Sequence, residues 1–525
     1  GLNGVPYTLY HYGSAWLFSR WADLVGTDVL SFYSLGYAVV MVPLFFASIA
    51  MLATSARKVS GLPRPQGWLR SNWWGWLALA IGTIGIIPDT ALFAMAVWNA
   101  HVFISESYLA GLPMFLMVLA VSVVAWRSGR PGGAFLFLFL PVMLAALGFL
   151  KVSLMVLLLA LAVYAALRSK MWKEWRALAI PVMIAASYLT YKAVSLPAHN
   201  GGVVPLHFMR FSTAEGWQQF FPLIHFAWAW VYVAGRLFEE RIADTVQLRA
   251  AVLGRRLLDV ELMLGLAVLG FLPGQILYIH GGSAIYFSDV QRWVALALVI
   301  ARAGHWVSLW RERRGARVPI GGSIRLVVVL AVVLAAPFGV TMGLNAVKPM
   351  ARLARQNLTL RSELVAQAGS EAELAAGGRG LLFDRQTLGR GLEAGKYYRL
   401  ISDLRDIGRL PNATKGEMLL FIPQTYQTFW HAFDADDRCS YAGLIATSVS
   451  GMALLDGMPY YGCRVTDQYN MQAYAPRTGE QTATSDAALC ERAAGLGFYR
   501  VMILPGDGSR RVLSCRAAGL KPATR

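Results

Sequence analysis

One lysine, Lys151, sits at the midpoint of an almost wholly apolar stretch, Gly133 to Leu167. An ammonium inside such a run is costly, and it marks a functional group or a buried pair. At the tip of a helical hairpin the amine would reach the headgroup region and hold a lipid phosphate as a point charge. The competing reading is a lysine that snorkels to the interface with no ligand. A second set of polar residues falls on the same expected side of the membrane: Asp89, His101, Glu106, Lys192, His199, His207, Arg210, His280, Tyr286, Asp289 and Arg292. Cations on that side run against the positive-inside bias, so Lys192, Arg210 and Arg292 need a reason. With Lys151 they are the candidate lipid-phosphate ligands. The bland reading pairs each with a neighbouring carboxylate, for example Arg292 with Asp289.

Asp89 and Glu106 bracket a loop without Lys or Arg. Each has the oxygen chemistry of a general base or of a divalent-cation ligand. Each is equally a helix cap or a solvated group, so the catalytic residue stays unassigned. No CxxC and no His-rich spacing occurs, and no zinc site is expected. His225 lies inside an apolar span and is expected to bond another helix. His305, near the end of a span, has no evident partner.

The element that must position Lys151 follows from length. A single helix over Gly133–Leu167 would run to roughly 50 Å, too long for a ~30 Å hydrocarbon core. Arg127 and Arg130 precede the stretch, and Arg168, Lys170 and Lys173 follow it. Two short helices meeting near Gly148–Ser153 keep both basic ends on one side.

The whole chain supports a membrane setting. Of its 525 residues 56% are hydrophobic, well above a soluble domain, which gives a polytopic α-helical membrane protein. A formal charge of +18 on its own suits a nucleic-acid partner, but the basic residues cluster between apolar spans and no nucleic-acid module signature occurs. Residues 1–28 read as an aromatic-rich amphipathic helix at the membrane surface. Spans are expected at Leu30–Ala53, Trp73–Ile87, Tyr108–Trp126, the hairpin at 133–167, Ala177–Val194, Phe221–Val233, Leu262–Ile279, Trp293–Trp310 and Ile324–Ala346, about ten membrane segments with the hairpin counted twice. The strongly basic loops then all fall on the cytoplasmic side. Tryptophans such as Trp73, Trp74, Trp293, Trp306 and Trp310 read as an interfacial belt.

The same parity divides the chain into a transmembrane domain, 1–346, and an extracytoplasmic α/β domain, 347–525. Met418–Pro423 and Tyr499–Pro505 read as buried strands, and Ala487–Leu496 as a helix stopped by Gly497. Asp507-Gly508 turns the chain into Arg511–Cys515. The cysteines Cys439, Cys463, Cys490 and Cys515 all lie in this tail, which suits an oxidising compartment and two disulfides. Spacing favours Cys439–Cys463 and Cys490–Cys515 among three possible pairings. Asn357-Leu-Thr359 matches a glycosylation pattern. The chain opens at Gly1 with no initiator methionine and no basic leader, which reads as a chain lacking upstream residues.

The segment Tyr10-His-Tyr-Gly-Ser-Ala-Trp16, the short amphipathic helix after it and Leu30–Ala53 resemble the region just past the first outer loop of GT-C superfamily membrane glycosyltransferases. Ile104-Ser-Glu-Ser107 and Leu150-Lys-Val-Ser153, each opening a span, are similar to stretches of bacterial GT-C-like proteins. The resemblance implies a polyprenyl-phosphate-linked sugar donor, a glycan or lipid acceptor of the cell envelope, and action at the periplasmic face of the bacterial inner membrane. In that family the catalytic carboxylate sits in the first outer loop; this sequence begins inside or just after that loop, without the expected span and its acidic motif, so no catalytic base carries over. The alternative class is a lipid or polysaccharide transporter or a non-catalytic assembly protein. Transporters favour internal repeats, and none is visible. A carbohydrate-binding module on a membrane anchor fits less well, because ten segments are excessive for an anchor.

Overall fold

The computed structural model describes residues 12–62, 73–83, 105–194, 203–205, 227–313 and, in pieces, 403–515, with short gaps inside several of these ranges. The expectations for Asp89, Arg210, Cys463 and the span Ile324–Ala346 fall outside the described residues, as do His101, His199, His207, His225 and His280. The described fold is mostly helical, with a small sheet in the C-terminal region. Among the described residues, four helices are long and apolar enough to cross a membrane: Val39–Val59, Ser107–Ala125, Trp175–Val194 and Tyr286–Arg313.

In chain order the first elements are α1 (Tyr12–Val25), α2 (Tyr37–Val59), α3 (Trp73–Thr83) and α4 (Glu106–Ala125). As expected, α1 is amphipathic: Phe18 and Ala22 are buried while Arg20 and Asp23 are exposed, although Trp16 and Leu24 are exposed as well. α2 continues past the expected end at Ala53 to Val59, with Arg57 and Lys58 in its last turn. α4 starts where Ser105 caps it, its side chain accepting from the Tyr108 amide at 3.3 Å.

The expected hairpin follows. A π-helical turn (Phe135–Phe139) leads into α5 (Leu140–Leu150), and α6 covers Val152–Arg168. Lys151 is the break, in extended conformation with φ −158° and ψ 110°, and it caps both helices. Both outer ends lie together. Phe137 stacks on Trp175, beyond the end of α6, with ring centroids 5.5 Å apart. A methyl built on Gly133 would lie 3.5 Å from the same indole. At the tip, a methyl on Gly148 would fall 2.7 Å from Met155 Sδ and 2.6 Å from Thr190 Cγ2 of α7 (Ala179–Val194). Each arm of about 16 residues spans only ~25 Å, which is why the stretch folds back.

Next along the chain come α8 (Ala227–Glu239), α9 (Thr245–Leu253), α10 (Leu258–Ile276) and α11 (Ile285–Arg313). Strands β1 (Val203–Pro205) and β2 (Leu277–Ile279) pair antiparallel. α11 is the central element and packs against α2, α3, α8 and α10. Its Trp293 is buried edge-on against Phe45, with centroids 4.9 Å apart. It also passes close to α10, because a Cβ on Gly270 would lie 2.5 Å from the Phe287 carbonyl oxygen. A backbone atom cannot swing aside, so Gly270→Ala is expected to splay α10 from α11. The expected cost is ~1–3 kcal/mol, read as a lower unfolding midpoint of the full chain in detergent. An unchanged midpoint would refute the close approach.

In the C-terminal region the strand order is β6-β3-β7-β8, with β3 (Met418–Phe421), β6 (Ala453–Leu454), β7 (Arg500–Ile503) and β8 (Arg511–Ser514). β3 runs parallel to β6 and to β7, and β8 returns antiparallel. These are the strands read at Met418–Pro423, Tyr499–Pro505 and Arg511–Cys515. β4 (Asp434–Asp436) and β5 (Cys439–Ser440) form a separate pair. A helix, Asp486–Gly495, packs on β7, and Leu489, Ala493, Leu419, Val501 and Ile503 share one core. Cys490 on this helix bonds Cys515 past β8, across a sequence separation of 25. This is the second of the two expected pairs. Closing that loop removes chain entropy worth about 3 kcal/mol. Cys490→Ser should therefore speed proteolysis of the tail in the intact protein about as much as a reducing agent does. Equal cleavage rates in all three samples would count against a stabilising bond.

Candidate functional site

Three distant segments converge at the hairpin tip: the N-terminus of α4, the break at Lys151 and the first turns of α11. On α11, Tyr286, Asp289 and Trp293 recur at helical spacing and share one face. Ser105 and Ser107 open α4, and their hydroxyls are 2.9 Å apart. Lys151 stands between these elements.

The Lys151 ammonium lies 4.0 Å from the centroid of the Tyr286 ring and 3.4 Å from Ser105 Oγ. A cation over a ring face in a desolvated setting is worth roughly 2 kcal/mol. The Tyr286 ring contacts that of Tyr108, with centroids 4.9 Å apart. The Tyr108 hydroxyl donates to Asp289 Oδ2 at 2.8 Å, across 181 positions of sequence. The Trp293 indole N–H donates to the same oxygen at 2.7 Å. Arg292, one helical turn from Asp289, interacts with it electrostatically and lies over the Trp293 ring at 4.7 Å. Lys151, Asp289, Gln291 and Arg292 are each no more than 4% exposed. Snorkelling is therefore excluded for Lys151: its amine is covered by protein.

Chemically, the cluster draws two cations and one carboxylate into the end of an apolar bundle. Two cations held by aromatic faces suit an anion with several oxygens, such as a phosphate. The carboxylate, anchored through one oxygen, can accept a proton through the other.

Of the residues singled out in the sequence, Lys151, Tyr286, Asp289 and Arg292 come together here. Lys192 does not join them. It is exposed at the end of α7, with its ammonium 5.8 Å from the centroid of Tyr188 on its own helix. Glu106 is the first residue of α4, and its side chain lies outside the described residues. Tyr108 and Trp293 carry no chemical signal of their own in the sequence, where Tyr108 reads as the start of a span and Trp293 as part of the aromatic belt. The spacing of Tyr286, Asp289 and Trp293 was the available signal. Among the described residues, no group of three or more His, Cys, Asp or Glu side chains is arranged to hold a metal ion.

A second buried charge cluster lies roughly 15 Å further along α11. Arg302 donates to both oxygens of Glu239, at 2.6 and 2.8 Å, and to Ser60 Oγ at 2.6 Å. Arg236 bonds Asp259 at 2.8 Å, Glu239 at 3.0 Å and Glu240 at 3.2 Å. Tyr232 donates to Asp259, and Trp306 to Glu239 at 3.0 Å. His305, which showed no partner in the sequence, lies 3.7 Å from Glu239. Here guanidinium faces carboxylate throughout, so this cluster ties α8, α10 and α11 to the end of α2.

Compared with known proteins, the chain matches no family model, no curated protein and no solved structure.

Proposed function

We propose that this chain is an integral membrane glycosyltransferase that takes its sugar from a polyprenyl-phosphate-linked donor. Its site opens at the periplasmic face of the bacterial inner membrane and modifies a cell-envelope glycan or lipid. The observation that carries this reading is the burial at the hairpin tip of Arg292 with Asp289, and of Lys151 against the Tyr286 ring one turn away on the same helix. The charge bias of the loops puts that tip on the outer side and the C-terminal domain with it. As the anomeric carbon–oxygen bond of the donor breaks, negative charge grows on the lipid phosphate. Preorganised cations in a water-poor site stabilise that charge most in the transition state. The ten segments expected from the sequence and the GT-C resemblance support the same reading.

The test is transfer by the full chain in proteoliposomes supplied with a radiolabelled polyprenyl-phosphate sugar and an envelope glycan extract. The expected result is label in the glycan together with release of polyprenyl phosphate. Label crossing the bilayer with the sugar–phosphate bond intact would instead mark a transporter.

A further inference from the structure

We propose that Asp289 is the base that takes the proton from the acceptor hydroxyl. The proposal rests on the glycosyl-transfer reading above. Its two carboxylate oxygens differ in their surroundings. Oδ2 receives hydrogen bonds from Tyr108 and Trp293 at 2.8 and 2.7 Å. Oδ1 is buried and has no hydrogen-bond partner among the described residues. A buried acceptor left without a donor costs ~1–3 kcal/mol, so its retention asks for a use. A purely structural anchor for Tyr108 and Trp293 needs one oxygen only, and a neutral side chain would supply it more cheaply. Carboxylates drawn into the interior of an apolar bundle are functional by default.

Position supports the assignment. Asp289 lies one turn from Tyr286, whose ring holds the Lys151 amine, and one turn from Arg292. Base and phosphate-binding cations therefore share one cluster, as displacement at an anomeric carbon requires. In the step, the acceptor O–H proton passes to Asp289 Oδ1 while the acceptor oxygen bonds the anomeric carbon. The bond from that carbon to the phosphate oxygen breaks, and its electron pair leaves with the lipid phosphate. Asp289 ends as a neutral acid, and the phosphate gains a charge held by Lys151 and Arg292. The proton must come within ~2.6–3.2 Å of Oδ1, so acceptor entry has to open the cover over this oxygen.

The experiment uses Asp289→Asn in the full chain, because its amide oxygen still accepts from Tyr108 and Trp293. Binding of the polyprenyl-phosphate sugar, thermal midpoint and transfer rate are measured on one preparation. The expected result is donor binding within about threefold of wild type and transfer lowered by about 10²–10⁴-fold, the usual contribution of general-base catalysis. Transfer within threefold of wild type overturns the assignment. A joint loss of donor binding and thermal midpoint overturns it too, as the mark of a structural anchor, unless Asp289→Glu, which keeps the charge and both acceptors, restores binding and part of the rate. If wild type transfers nothing from any polyprenyl-phosphate donor, the reaction itself falls and the base with it. Activity in wild type and variant alike removes Asp289 alone.

Discussion

Lys151→Met is expected to weaken binding of a polyprenyl-phosphate sugar by about 10- to 100-fold while the protein remains folded in the membrane. The estimate follows from a charge-assisted contact of ~1.5–3 kcal/mol, with each 1.4 kcal/mol a factor of ten. Methionine is chosen because it fills similar space with no charge. Replacing a buried charge by an apolar group of similar volume is often neutral or stabilising. The thermal midpoint should therefore hold or rise while binding falls, a combination that a structural lysine would not give. If Lys151 served only to pack on Tyr286, the variant would bind donor as wild type does. Alanine is the weaker test, since it removes the charge and also opens a cavity, and the two losses are confounded. Arginine is not a conservative substitute either. Its planar fork is wider than an ammonium, and the site beside Gly111 is tight: a Cβ there would lie 2.6 Å from Leu154 and 3.7 Å from Lys151 Cβ.

The second large effect belongs to the other charge cluster. Arg302→Met leaves the largely covered Glu239 with one of its two guanidinium partners and removes the donor to Ser60. Breaking a buried pair from one side costs ~3–5 kcal/mol, because the remaining charge keeps its desolvation penalty. Denaturant unfolding of the full chain in detergent should show that loss, and Arg302→Lys should fall between, keeping the charge without the bidentate fork. The variant should also alter the acid limb of stability. Glu239 lies beyond the apolar run that ends at Val233. Burial alone would raise its pKa, but Arg302 and then Arg236 hold it below the ordinary carboxylate value. A depressed folded pKa adds stability above the unfolded value, near 4.3, that is lost as pH falls through the folded one. Without Arg302 the folded pKa rises, so the variant should lose less stability than wild type on acidification. Parallel pH curves would show that Glu239 is not held by Arg302.

These two clusters separate what each level of description supplies. In the sequence, Lys151 stands out because nothing around it is polar, and basic residues at both ends of its run demand a turn back. Length against bilayer thickness is a local argument, and it located the break to within the segment Gly148–Ser153. The tail was legible for a similar reason. Short apolar runs ending in Pro, a Gly after a helical run and an Asp-Gly turn are signals carried by neighbouring residues. They match β3, β7, β8 and the helix Asp486–Gly495. Spacing also selected Cys490–Cys515.

What covers Lys151 was not legible, because its neighbours are set by contacts between segments far apart in sequence. Ser105, Lys151 and Tyr286 meet only once α4, the hairpin and α11 have packed. The Tyr108–Asp289 bond spans 181 positions, and no local period encodes it. Arg302 is the instructive miss. It sits inside the expected span Trp293–Trp310, where the cost that singled out Lys151 applies equally. Its partner Glu239 is 63 residues away, at the end of another helix. The sequence by itself determined where apolar chain must turn and which buried charges need an explanation. Only the tertiary structure decided that Arg302 meets Glu239, that Arg292 faces Asp289 and that Lys151 meets Tyr286 and Ser105. The physical reason is that the penalty for burying a charge belongs to the residue, whereas its relief belongs to the neighbours that packing brings.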